Sequence, residues 1–107
     1  MRVDAEIERL SELLDSRCEQ YEKLAVRAAQ CEAEYKIAYA REYLDIEVKM
    51  PVDTRKQSAT YACRDLLTEH LLAEGVGDSC QESMRSIRAQ LSALQTLAAN
   101  ERASLTG

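Results

Sequence analysis

Tyr35, Tyr39 and Tyr43 recur every four residues, which on a helix makes a single stripe of phenol rings. Lys36, Arg41, Lys49, Arg55, Lys56 and Tyr61 lie close to them in the chain. Aromatic rings interleaved with cations can stack the bases of a single nucleic-acid strand. Tyrosine is also a frequent anchor of protein interfaces. The third use is plain packing, in which the ring faces join two helices and the hydroxyls reach water. Glu34, Glu42, Asp45 and Glu47 occupy the same stretch and would repel phosphates. Packing or a protein contact is therefore favoured over nucleic acid. The candidate contact set is Tyr35, Lys36, Tyr39, Arg41, Tyr43, Arg55 and Lys56.

His70 is the one histidine, and Cys63 precedes it by seven residues on the same helix face. With Cys31 these two could be imagined around zinc. Structural zinc sites, however, use closely paired cysteines, and none occur here. The sequence also has no Gly-rich phosphate loop, no nucleophile elbow and no His-Glu-x-x-His. A lone histidine on an apolar face supplies no acid–base pair. No catalytic residue, metal or cofactor is expected, and the chain reads as a non-enzyme.

The chain has 107 residues and a net charge of −5, and it contains neither Trp nor Phe. Residues 1–47 hold twelve acids and seven bases, whereas residues 48–107 are balanced, so the excess charge belongs to the first segment. A general DNA-coating protein needs a cationic surplus, and this chain lacks one. Glu12, Asp15, Glu19 and Glu22 form an acidic helix face that suits a basic protein surface. The charged start, Met1-Arg2-Val3-Asp4, does not read as a secretory leader, and no apolar run is long enough to cross a membrane. A cytoplasmic protein with reduced thiols at Cys18, Cys31, Cys63 and Cys80 is the expectation. A Cys18–Cys80 disulfide is geometrically conceivable but disfavoured in a reducing compartment.

With three Gly and one Pro, the chain has few places to turn. Val3, Ile7, Leu10, Leu14, Tyr21, Leu24, Ala28, Cys31, Tyr35 and Ala38 keep a heptad, with Arg17 the one misfit. This predicts a helix over 4–47. Pro51 breaks it, which places a turn at 48–54. Thr54 with Gln57 fits a capping box, Asp53 is a competing cap, and a second helix is predicted over 55–73. Its apolar face is Ala59, Ala62, Cys63, Leu66, Leu67, His70 and Leu71. Gly75 reads as a left-handed helix terminator inside a turn at 74–78, and Ser79 with Glu82 as another capping box. The last helix, over 79–104, carries Cys80, Met84, Ile87, Leu91, Leu94, Ala98 and Leu105 at heptad spacing.

These lengths predict an all-α, long antiparallel hairpin or coiled coil with a kinked two-helix return arm; an open three-helix bundle is the alternative. The hairpin would bring Cys18 level with about residue 82 and Leu10 level with about residue 90. Two layers of helix bury little, so a homodimer is expected.

Glu34-Tyr35-Lys36 with the Ala/Tyr run to Leu44, Arg55-Lys56, and Ile87 to Leu97 followed by Arg102 resemble small helical proteins of temperate bacteriophages. Such proteins are often encoded among replication and recombination genes. The resemblance implies a setting rather than an activity, and it covers about a third of the chain. With the acidic face, the Tyr/basic stretch and the heptad spacing, three expectations follow. The first is an accessory or modulator, including an inhibitor of a host nucleic-acid-handling or defence system, that binds a host or phage protein. The second is a recombination accessory touching single-stranded DNA through the Tyr/basic tip. The third is a structural coiled-coil assembly factor.

Overall fold

A computed structural model of the chain describes residues 2–106. Three helices make up the fold: α1 (Arg2–Asp45), α2 (Val52–Ala62) and α3 (Arg64–Thr106). No strand occurs among the described residues. The protein is all-α, and within each part of the fold the helices pair antiparallel.

The chain divides into two compact units. One contains residues 1–22 and 78–107, the other residues 23–77. In the first, Leu10, Ile87 and Leu91 form a buried cluster, with Ile7, Leu13, Leu14 and Leu94 packed against it. The Cys80 thiol donates to the Arg17 carbonyl at 3.6 Å, and Arg17 Nε donates to the Ser83 hydroxyl at 3.3 Å. Arg17 thus meets residues 80–83 while Leu10 meets 87–91, as expected for antiparallel segments in the predicted register. Arg17 is no misfit in position. It occupies a seam site, half-buried, with its aliphatic stem inward and its head bonded to Ser83 and Gln20.

In the second unit Tyr43 meets Arg55, and Tyr35 meets His70, so the chain again runs back on itself. The turn falls at residues 46–51, within two residues of its predicted start. Its end differs. Pro51 (φ −56°, ψ 146°) is itself the residue that precedes the helix, and α2 begins at Val52 with the Arg55 N–H donating to the Pro51 carbonyl at 3.0 Å. No side chain caps this end, so neither Asp53 nor the Thr54/Gln57 box forms. Pro51 at the N-cap offers no side-chain acceptor, and Val52, Asp53 and Thr54 are exposed, so water can take their N–H groups.

The kink of the return arm also lies elsewhere than predicted. No turn occurs at 74–78; α3 runs through Gly75 and Gly77, and no described glycine has a positive φ. The Ser79/Glu82 pair therefore sits inside a helix. The single interruption is Cys63 (φ −104°, ψ 19°). There the Tyr61 carbonyl accepts a bond from the Arg64 guanidinium at 2.9 Å, and that guanidinium also lies 4.3 Å from the Tyr61 ring centroid. A side chain that bonds a ladder carbonyl is a recognised cause of a helix kink.

The phase of the seam explains why the glycines do not stop the helix. Ala59, Cys63, Leu66, His70, Ala73, Gly77, Cys80, Met84, Ile87, Leu91, Leu94 and Ala98 alternate steps of four and three, and all are buried or half-buried. The inward faces assigned to two separate helices are one face. Leaving the helix at Gly75 would rotate Cys80, Met84 and Ile87 off the seam. Ala62 and Leu71, predicted to face inward, fall outside this alternation and are exposed. Leu105 keeps the spacing but is 82% exposed.

A glycine inside a helix costs roughly 0.5–1 kcal/mol relative to alanine. A Cβ at Gly75 or Gly77 would meet no atom within 4 Å. Gly75→Ala and Gly77→Ala should therefore each stabilise the protein by about that amount, read as a higher urea midpoint with unchanged slope. A lower midpoint would mean a left-handed glycine and a turn.

Candidate functional site

The tyrosine stripe is a column of stacked rings within residues 23–77. Tyr35 stacks on the His70 imidazole, with centroids 6.1 Å apart and planes 11° apart. Tyr35 and Tyr39 are tilted at 5.9 Å, and Tyr39 stacks on Tyr43 at 6.3 Å and 15°. The Arg55 guanidinium closes the column 5.0 Å from the Tyr43 centroid. Its Nε is buried without a hydrogen-bond partner, so the ring face is what offsets its lost hydration. All three phenols are half-buried. Their four-residue spacing places them where α1 meets α2 and α3.

Tyr35, Tyr39, Tyr43 and Arg55 of the predicted contact set thus come together. Lys36, Arg41 and Lys56 do not join them; they are exposed, and Lys36 pairs with Glu32 at 2.6 Å. That ammonium holds the Glu32 carboxyl below its ordinary value, chiefly through the hydrogen bond. Arg55 apart, rings and cations therefore do not interleave: the rings face the helix junction, and Lys36, Arg41 and Lys56 face solvent.

His70 Nε2 lies 3.5 Å from a Glu74 carboxylate oxygen, while its Nδ1 is buried and unpartnered. No group of three His, Cys, Asp or Glu side chains converges to hold a metal ion among the described residues. All four cysteines are free thiols. Burial, and secondarily the Glu42 charge, push the Cys63 thiol up and away from thiolate.

The acidic face lies on the other unit. Glu12, Asp15, Glu19 and Glu22 are all exposed on α1. They occupy the positions of the repeat farthest from Leu10, Leu14, Arg17 and Tyr21. The same steps of three and four extend the row back to Asp4 and Glu8, also exposed, which the sequence reading missed although the spacing was there to find them. No base interrupts the row. Two cations lie on its flank: Lys23, exposed beside Glu22, and Arg9, which is held by Glu6 through a 3.0 Å bond from its Nε and a shorter one from its Nη2. Continued forward, these steps land on Val26, Ala29, Ala33, Ile37, Ala40 and Leu44, every one exposed.

Two open grooves accompany these faces. One of 530 Å³ lies beside Val3, Arg9 and Leu94; the other, of 280 Å³, lies beside Leu24, Leu72 and Val76. Neither gathers a nucleophile with a base. No helix is long and apolar enough to cross a membrane among the described residues.

Comparison with known proteins finds no matching family model, no matching curated protein and no matching solved structure.

Cys31, Cys63 and Cys80 are buried, whereas Cys18 is half-exposed. With Ellman's reagent, one thiol of the native chain should react quickly and three only as the fold opens. Cys18→Ser should remove the fast phase alone; a fast phase that survives would place another thiol at the surface.

Proposed function

We propose that this chain is a non-enzymatic interaction protein that engages a basic partner protein through the acidic row of α1. The observation that carries this reading is the uninterrupted row Asp4, Glu8, Glu12, Asp15, Glu19 and Glu22, wholly exposed and free of bases. Packing does not require six carboxylates in one line. Their mutual repulsion is a standing cost that a cationic partner would relieve. A helix so charged resembles one edge of a nucleic-acid backbone, and it could occupy a cationic channel in its place. In the temperate-phage setting that the sequence resembles, the activity would be that of an accessory protein inhibiting a host nucleic-acid-handling or defence system. The acting unit is taken to be a homodimer in the bacterial cytoplasm.

The stacked tyrosine column disfavours the single-stranded DNA reading, because Tyr35, Tyr39 and Tyr43 already spend their faces on one another, His70 and Arg55. A pure assembly factor would have little use for a row of like charge.

Reversing Glu12, Asp15, Glu19 and Glu22 to lysine should leave the helical circular dichroism intact. It should also abolish capture of the protein that wild type retains from a bacterial lysate. Raising salt should release that protein from wild type. Capture that survives both treatments excludes the acidic row. Retention of an oligonucleotide at low salt, lost with Tyr39→Ala, would favour the nucleic-acid reading instead.

A further inference from the structure

Where the acids stop, the outer face of α1 becomes apolar. Val26, Ala29, Ala33, Ile37, Ala40 and Leu44 lie in one row whose members fall within about 80° of each other at 3.6 residues per turn. Val26 is 58% exposed, Ile37 59% and Leu44 80%. Nothing among the described residues covers them. The seam that packs α1 on its own return arm runs on the opposite side, through Leu24, Ala28, Cys31, Tyr35 and Ala38.

We infer that this row is a self-association surface, on which α1 of a second copy packs antiparallel with Ile37 near the two-fold axis. The inference rests on the homodimer reading and names its surface. Three features select this occupant and direction. The row is self-complementary in size: about an axis between Lys36 and Ile37, Leu44 of one copy lies over Ala29 of the other, and Ala40 over Ala33. The small residues let the helices approach while the large ones fill the space between. The charges of one flank also match. In an antiparallel pair each flank meets the same flank of the second copy. That sets Glu34 beside Arg41 of the second copy, twice per dimer, and both are exposed with no ion pair of their own among the described residues. A parallel pair would instead lay Glu22, Glu19 and Asp15 against their own copies, with like charges in contact. Finally, the pairing leaves the acidic row uncovered for a cationic partner.

Six residues a side is at the small end of stable interfaces, so association should be reversible in the micromolar range. Sedimentation equilibrium of the full chain at increasing concentration reads it directly. Ile37→Glu should weaken the dimer at least tenfold, with helical content and melting unchanged because the position is exposed. Glu34→Arg and Arg41→Glu should each weaken it about three- to tenfold, and the double variant should restore it. Restoration identifies the antiparallel arrangement, since in a parallel pair these two positions lie a full heptad apart. A wild type that stays monomeric throughout would overturn both the homodimer and this surface. A dimer indifferent to Ile37→Glu would overturn the surface and leave the homodimer standing. A charge swap without restoration would overturn the antiparallel direction.

Discussion

One alternation holds this protein together. Buried and half-buried side chains follow one another at steps of three and four residues along α1 from Val3 to Ala38, and along the return arm from Ala59 to Ala98. A helix that keeps this alternation presents a continuous seam to its neighbour, and one that loses phase by a single residue presents polar surface instead. Two interior glycines disfavour helix by roughly 1–2 kcal/mol together. Burying Met84 and Ile87 is worth about 1.5–3 kcal/mol each, and both depend on the phase carried through Gly75 and Gly77. The packing term is the larger, and α3 stays whole.

That comparison also explains what was legible in the sequence. The two seams, the antiparallel register and the turn before Pro51 could all be read, because heptad spacing and a missing N–H are properties of the chain itself. Arg17 meeting residues 80–83 is the register expected from counting back from the turn. The second break was misplaced because Gly75, Ser79 and Glu82 match local stop and start signals, and local signals yield when a long-range seam crosses them. The actual kink at Cys63 depends on Arg64 reaching the Tyr61 carbonyl, a bond that no spacing rule announces. The tyrosines were legible as a stripe and packing as a use for it, but their partners His70 and Arg55 were not. Whether Tyr35 stacks on His70 or on a ligand depends on which residue the register brings opposite it.

The outer side of α1 follows a different logic from the seam. The seam repeats one kind of residue along the whole helix, whereas the outer row changes at residue 22 from carboxylates to Val, Ala, Ile and Leu. Hairpin packing requires neither half, since neither touches the return arm. The carboxylate half suits a cationic protein and the apolar half suits a copy of itself. Placing both on one helix allows a dimer to form without hiding the charge. The sequence showed four of the acids plainly, while the apolar half escaped notice because its alanines look like ordinary helix filler.

Amide hydrogen exchange across residues 72–82, followed residue by residue in the native protein, tests the unbroken seam most directly. The account predicts that the amides of Val76, Gly77, Asp78 and Ser79 exchange as slowly as those of Gln81 and Met84, and far more slowly than those of the turn at 46–51. Exchange at 75–79 as fast as in that turn would mean that the return arm is two helices and that the phase from Ala59 to Ala98 is a coincidence of spacing.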